Sequence, residues 1–471
     1  MTTDFDVIVL GLGPGGEEAA GSLAEAGRGV LGLDSGLVGG ECPYYGCIPS
    51  KMILRGAELL GEARRVGSVA GRADVEPDFA PVAARIRDEA TDNWDDTVAV
   101  DRLRGKGATV IRTAGRLVGR AEDGQLLLVA DGVTYQAPRV VIATGTAPAV
   151  PPIDGLAQLR ATGSGPDGPV WTNREAVKVT TVPPSLVVLG GGAIGCELAQ
   201  GFARFGSSVT IVEAAPRLLM PEEPDASATI AQVFRREGID VRVGVGASSV
   251  GPGGDGVEVT LADGSVVTGQ KLLVAAGRRP NLHDIGLETI GLDPAARALT
   301  VDDRMRVLDA EDPVAGVYAL GDITGRGAFT HVAVWQARAL VSQWLERDEP
   351  FGGYHGLAWA TFTDPEVGRV GMTEQQARDN GLRVRTGGEP IPSSSRGWIH
   401  GPGNDGFVKI VEDADRGVLV GATVVAPYGG ELLGLLTLAV HAQVPVTELA
   451  SMHYAFPTLH RAVLDAVRAL G

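Results

Sequence analysis

Residues 5–36 read FDVIVLGLGPGGEEAAGSLAEAGRGVLGLDSG, and this stretch decides how the rest of the chain is read. Val7-Ile8-Val9-Leu10 is a short apolar run rich in β-branched residues, the signature of a buried strand. Glycines follow, then a helical pattern over residues 17–25, then a second strand over residues 30–33 that ends at Asp34. The glycines are spaced Gly11-x-Gly13-x-x-Gly16. The first permits a tight turn, the second lets backbone approach a pyrophosphate, and the third lets helix pack on strand. The free N–H groups at the start of that helix attract negative charge. Asp34 lies 21 residues beyond Gly13, where a carboxylate accepts hydrogen bonds from a ribose.

Working outward, the same unit recurs over residues 185–216, SLVVLGGGAIGCELAQGFARFGSSVTIVEAAP. The strand spans residues 186–189, the helix residues 194–205, and a second strand residues 209–212. Gly190, Gly192 and Gly195 repeat the spacing, and Glu213 again stands 21 residues after the middle glycine. Two such units imply two dinucleotides on one chain. A carboxylate suits a free ribose 2′-hydroxyl and repels a 2′-phosphate, so Glu213 favours NAD(H); the nearby Arg217 leaves NADP(H) open.

Between the first unit and the second, residues 39–51 read GGECPYYGCIPSK. Two of the chain's three cysteines, Cys42 and Cys47, stand five apart in it, just before a helical pattern. In a chain so poor in cysteine such a pair reads as redox-active rather than as a structural staple. A helix N-terminus and the cation of Lys51, one turn after Cys47, would both favour a thiolate. Cys196, inside the second unit's helix, reads as packing. Farther along, residues 140–145 and 317–322 are strand-like runs ending in turns, residues 243–268 read as a β-meander, and Thr373 with Gln376 forms a capping-box pattern. From about residue 350 the pattern becomes α+β, with antiparallel strands over residues 407–411 and 418–425.

Composition narrows the field. At roughly 150 residues per domain, 471 residues suggest about three domains. A net charge of −17 argues against coating nucleic acid or an anionic membrane surface. No apolar run is long enough to span a bilayer, and a strand begins within the first ten residues with no apolar leader before it, so the expected location is cytoplasmic. The seven histidines show no HExxH or close ligand cluster, no C-x2-C pair is present, and no metal is expected. No P-loop lysine motif is visible. Glycine, at 67 residues, is about twice its usual share, in keeping with many tight turns.

With these residues in view, the chain resembles the flavoprotein disulfide reductases, the class I pyridine nucleotide-disulfide oxidoreductases that include dihydrolipoamide dehydrogenase and mercuric reductase. The resemblance runs over nearly the whole chain. It rests on Cys42-x4-Cys47 between the two glycine motifs, Ala143-Thr144-Gly145, residues 276–281 (AGRRPN), residues 319–322 (ALGD) and residues 362–366 (FTDPE). The fold it implies is α/β, with two Rossmann-type nucleotide-binding domains plus a C-terminal α+β dimerisation domain. The implied division is residues 1–150 and 278–348 for FAD, 151–277 for NAD(H), and 349–471 for the interface of a twofold homodimer whose active sites are shared between subunits.

FAD would lie against Gly11, Gly13, Gly16, Asp34, Gly40, Thr144, Gly145, Gly321, Asp322, His331 and Ala333, with Asp322 on the ribityl chain. Gly277 and Arg278 would join the cofactor-binding set. Lys51 would sit by the flavin, ion-paired to Glu197, with Cys47 facing the ring and Cys42 exchanging with substrate.

Two departures stand out. Members that reduce disulfides or oxidise dithiols carry His-Pro-Thr-x-x-Glu near the C-terminus, donated to the partner's site. Here residues 456–461 read FPTLHR: Phe456 takes the place of the base and Arg461 that of the carboxylate. A phenyl ring accepts no proton, and general base catalysis contributes ~10²–10⁴-fold, so ordinary dithiol–disulfide turnover should be crippled. Glu41, where Thr is common, adds a carboxylate that would oppose thiolate formation at Cys42. The expected reaction is transfer of electrons between NADH and a small acceptor or donor, quinone-like or another electrophile, through FAD and the Cys42–Cys47 pair. The alternatives are a disulfide reductase with a substitute base (His460, His453, Tyr44 or Tyr45), a relative of 2-ketopropyl-coenzyme M oxidoreductase/carboxylase, and a non-catalytic redox-sensing flavoprotein.

Overall fold

Largely apolar strands, alternating with helices that carry glycine where they meet the turn, build parallel sheets, and both glycine-marked segments do so. In the computed structural model, which describes residues 2–254, 256–347 and 352–470, the chain divides into two units. The first comprises Met1–Pro49, Ile86–Pro148 and Arg278–Gly353, and the second Ser50–Arg85, Ala149–Gly277 and Tyr354–Gly471. The boundary expected at residues 348/349 lies outside the described residues.

The first unit is organised by a six-stranded sheet in the order Arg306–Asp309, Asp312–Ala319, Val140–Ile142, Val7–Leu10, Val30–Leu33, Thr109–Ile111. Its inner strands pair in parallel, Val7 beside Val30 and Ile8 beside Val140, and only Arg306–Asp309 runs antiparallel at the edge. Val7–Leu10 and Val30–Leu33 are buried at every position, as strands covered on both faces must be. The helix after the first strand runs Pro14–Glu25, three residues earlier than its hydrophobic pattern indicates, because proline is tolerated in a first turn. The strand expected at residues 317–322 is Asp312–Ala319, and a short 3-10 turn, Asp322–Thr324, replaces its end.

The second unit holds a parallel sheet in the order Val170–Trp171, Lys271–Val274, Ser185–Leu189, Ser208–Glu213, Asp240–Val243. A three-stranded antiparallel meander, Ala247–Gly253, Gly256–Leu261 and Val266–Gly269, lies where one was expected. The same unit contains an antiparallel sheet ordered Ala358–Thr361, Glu366–Gly371, Val418–Ala426, Phe407–Asp413, Val384–Pro390. Its central strand, Val418–Ala426, is buried throughout, and the helices Gly429–His441 and His460–Arg468 pack their apolar sides into its core. The Thr373/Gln376 capping box is formed. No helix among the described residues is long and apolar enough to cross a membrane.

Candidate functional site

The two glycine loops fold alike. Gly11 and Gly190 take φ of 91° and 110°, a left-handed conformation that disfavours a side chain. A Cβ on Gly16 would collide with the Gly11 carbonyl oxygen, and one on Gly195 with that of Gly190, so each helix sits directly on its own turn. Gly13 and Gly192 are the N-caps of Pro14–Glu25 and Ala193–Arg204, which leaves their first-turn N–H groups for a ligand. The carboxylates also repeat: Asp34 accepts from Leu12 N and Gly36 N, both at 2.7 Å, and Glu213 from Gly191 N and Ala215 N, both at 2.6 Å. Each side chain is thereby aimed by backbone, and a carboxylate with about four acceptor positions still has room for a ribose. Burial pushes the Asp34 carboxyl above its ordinary value, against the two N–H groups that lower it.

Two observations in the first unit bear on whether its residues fit FAD. Gly40, at φ 71°, approaches so near that a Cβ there would lie 2.8 Å from the Gly13 Cα, an approach that requires glycine at position 40. The Thr144 hydroxyl is shielded yet has no partner in the protein, and so stands ready for a ligand atom. Asn281 Nδ2 donates to Thr144 O at 2.9 Å, which ties the AGRRPN segment to the ATG turn. Arg278 donates to Thr146 Oγ1 and O, both at 2.7 Å, and Thr146 Oγ1 donates to Asp322 Oδ2 at 2.6 Å. These residues fit the flavin cofactor. Gly321 N donates to buried Gln336 Oε1 at 2.6 Å, which fixes the backbone before Asp322. Ala333 is buried and His331 exposed in the same helix, Thr330–Trp344, with the imidazole stacked on Phe329 at 5.5 Å.

Cys42 lies inside a short helix, Glu41–Tyr45, rather than in an irregular loop, and Gly46 separates it from Cys47–Arg65. Cys47 opens that second helix and is exposed, its Sγ 3.4 Å from Thr330 Oγ1. Glu41 is not the uncompensated negative charge that its place beside Cys42 suggests: its carboxylate pairs with Arg278 at 3.2 Å. Cys196 is fully buried, donates to Gly191 O at 3.3 Å, and is held a thiol because burial drives its pKa upward. It packs, as expected.

In the second unit Lys51 Nζ donates to Glu197 Oε2 at 2.7 Å and lies 4.7 Å from the centre of the Phe362 ring. The other Glu197 oxygen accepts from Phe362 N at 2.8 Å. One buried carboxylate therefore holds both the cation and the FTDPE turn. Two further residues on the same helix continue the grip: Gln200 exchanges hydrogen bonds with the Asp364 backbone at 2.7 and 2.8 Å, and Arg204 pairs with the Asp364 carboxylate at 2.8 Å. Arg65 meets Asp364 at 2.9 Å. Burial opposes ionisation of Asp364, but the guanidinium groups of Arg204 and Arg65 outweigh it and hold its carboxyl below the ordinary range. Sequence reasoning missed this grip. The spacing of Glu197, Gln200 and Arg204, three and four residues apart, was its only trace.

Arg217 has a committed guanidinium. It donates to Leu219 O at 3.1 Å, Ser227 Oγ at 2.6 Å and Met220 O at 2.8 Å. Gly277 has φ of 110°, and its carbonyl accepts from Ala149 N at 3.0 Å. Phe456 is 70% exposed, and His460 is the exposed first residue of the helix His460–Arg468. Arg461 Nη2 reaches Asp465 at 3.4 Å, and its Nε is shielded.

A model of the pyridine nucleotide-disulphide oxidoreductases matches residues 5–337, and a model of their dimerisation domain matches residues 357–467. Dihydrolipoyl dehydrogenase of Thermus scotoductus is 33% identical over 473 residues, covering 99% of this chain and 97% of its own. Mercuric reductase of Streptomyces lividans is 32% identical over 471 residues, covering 98% and 95%. Among solved structures, LpdA from Mycobacterium tuberculosis superposes with a TM-score of 0.84 at 28% identity over the full length of both chains. The HOCl-induced flavoprotein disulfide reductase RclA from Escherichia coli gives 0.82 at 25% identity, covering 98% of this chain and 99% of that one. The chain belongs to the pyridine nucleotide-disulphide oxidoreductase family, enzymes that use FAD and NAD(P)H.

Proposed function

We propose that this enzyme passes electrons between NADH and a small acceptor, quinone-like or another electrophile, by way of FAD and the Cys42–Cys47 pair. The observation that carries the choice of acceptor is Phe456, an exposed phenyl ring at the place where dithiol-handling members present an imidazole. Arg461, where those members carry the carboxylate, is engaged with Asp465. When bound, FAD supplies two-electron transfer between a nicotinamide and a sulfur pair or a direct acceptor. The chain's own residues bind and orient. The helix N-termini behind Gly13 and Gly192 take pyrophosphates, Asp34 and Glu213 take ribose hydroxyls, and Asp322 is fixed through Thr146 and Arg278. Lys51, oriented by Glu197, places its ammonium group on the helix that Cys47 opens.

NADH rather than NADPH is supported by Glu213 and by the three hydrogen bonds that occupy Arg217. We assign residues 1–150 and 278–348 to FAD, 151–277 to NAD(H) and 349–471 to a homodimer interface. The exposed side chains of Trp398, Tyr428, Leu438 and Phe456 support that interface. The low cysteine content supports a cytoplasmic setting.

Steady-state turnover of the purified holoenzyme with NADH and 1,4-benzoquinone, set beside NAD⁺-linked oxidation of dihydrolipoamide, tests the reading. Quinone turnover should exceed dihydrolipoamide turnover by at least about 100-fold, the low end of what a general base supplies. Equal rates would defeat it.

A further inference from the structure

The cysteine helix of the first unit is held by a segment outside the glycine and cysteine motifs. Residues 86–90 form a turn of π-helix, and Asp92, Asn93 and Trp94 follow with φ of 46°, 54° and 60°. Three consecutive non-glycine residues in the left-handed region are costly, tryptophan most of all, and such conformations persist only where surrounding structure imposes them. The segment is locked internally: buried Thr91 donates from its hydroxyl to Ile86 O at 2.9 Å, and Asn93 N donates to Arg87 O at 2.6 Å. What the strain achieves is direction. Trp94 Nε1 donates to Tyr44 O at 3.0 Å.

Tyr44 lies between the two cysteines, in the last turn of Glu41–Tyr45. A helix leaves its final carbonyls without intrahelical donors, and the Trp94 indole supplies one from outside. Two further anchors act on the same stretch. Buried Asp96 accepts from Val38 N at 2.8 Å while pairing with Arg112 at 2.8 Å, and Arg278 holds Glu41. Ahead of Cys42 the chain is therefore pinned at Val38 and Glu41, and behind it at Tyr44.

We propose that Trp94 is a positioning residue that sets the disulfide–dithiol equilibrium of Cys42 and Cys47. The inference rests on the reading that these two cysteines exchange electrons. With Tyr44 pinned, the chain between the two cysteines is already ordered in the dithiol, so closing the disulfide loses little further chain freedom. Without the pin, the dithiol gains freedom and becomes the favoured partner of the couple.

The test is equilibration of the full-length holoenzyme, wild type and Trp94→Phe, against oxidised and reduced dithiothreitol at fixed pH. Two electrons and two protons pass from the dithiothreitol thiols to the Cys42–Cys47 bond, and dithiothreitol closes its own ring disulfide. Thiols are then trapped with a maleimide and counted by intact mass. Trp94→Phe keeps an aromatic ring and removes the donor. It should move the midpoint about fivefold toward the dithiol, the size of one net hydrogen bond. Trp344→Phe, in the same unit, should titrate as wild type. Coincident curves for wild type and Trp94→Phe, or an equal shift in Trp344→Phe, would overturn the role of Trp94. If wild-type Cys42 and Cys47 label at every ratio, the redox reading of the pair falls as well. If Trp94→Phe yields no holoenzyme, wild-type protein with 15N-labelled indoles decides. Trp94 N–H must exchange more slowly than that of Trp398, which is 76% exposed, and equal exchange sinks the proposal.

Discussion

Glu197 makes two bonds, and two substitutions separate them. Its Oε2 pairs with Lys51 and its Oε1 accepts from Phe362 N. Breaking a fully buried ion pair costs about 3–5 kcal/mol, whereas an exposed pair is worth about 0–1 kcal/mol. The Glu197 side chain is 6% exposed and that of Lys51 34%, so the loss falls between these, at about 2 kcal/mol. Orphaning the Phe362 N–H adds about 1–3 kcal/mol. Glu197→Ala loses both, and Glu197→Gln keeps an acceptor for Phe362 and loses only the charge. Hydrogen–deuterium exchange of a peptide containing Phe362 reads the second bond locally, which avoids assigning one unfolding free energy to a large cofactor-binding chain. Exchange at Phe362 should accelerate about 5- to 150-fold in Glu197→Ala and stay within about threefold of wild type in Glu197→Gln. Equal acceleration in both variants, or none in either, would refute the division of labour.

Three other outcomes follow from the same geometry. Phe456→His combined with Arg461→Glu should raise dihydrolipoamide oxidation by at least about tenfold, part of the ~10²–10⁴ that a base supplies; a flat response would mean that the missing imidazole is not what limits that reaction. Gly195→Ala drives a methyl into the Gly190 carbonyl, an overpacking of about 1–3 kcal/mol; NADH affinity by fluorescence titration should fall about tenfold with FAD content intact, and an unchanged Kd would count against the turn's role. Asp364 has a folded pKa below its ordinary 3.8, so its contribution is present above that value and is lost as pH falls through the lower folded one. The urea midpoints of wild type and Asp364→Asn should therefore converge on acidification, and a gap that widens instead would reverse the assigned sign.

Residues within one β-turn-α-β unit are neighbours in both sequence and space. Strand, turn, helix and carboxylate were therefore legible at Gly11–Gly13–Gly16–Asp34 and again at Gly190–Gly192–Gly195–Glu213, and with them the two-nucleotide architecture. Short apolar runs and intervening turns likewise located the meander and the antiparallel strands near the C-terminus, and Cys42 and Cys47 announced themselves by rarity and spacing. Long-range pairing left no such mark. The Arg278–Glu41 ion pair joins residues far apart in the chain, as does the clasp of Asp364 by Arg65 and Arg204.

Glu41 reads as a liability beside a thiol until its partner is seen, and the three oxygens that hold Arg217 left no mark in the sequence. Trp94 belongs to no pattern, because its role depends on a left-handed backbone that hydrophobic period does not encode. The amino-acid order alone determined the alternation of strand and helix, the two glycine turns and their carboxylates, since those depend on local sterics and apolar period. Tertiary structure alone decided which charges are neutralised and which carbonyl the indole meets, since a hydrogen bond or ion pair acts through a few ångströms of space, whatever the separation along the chain.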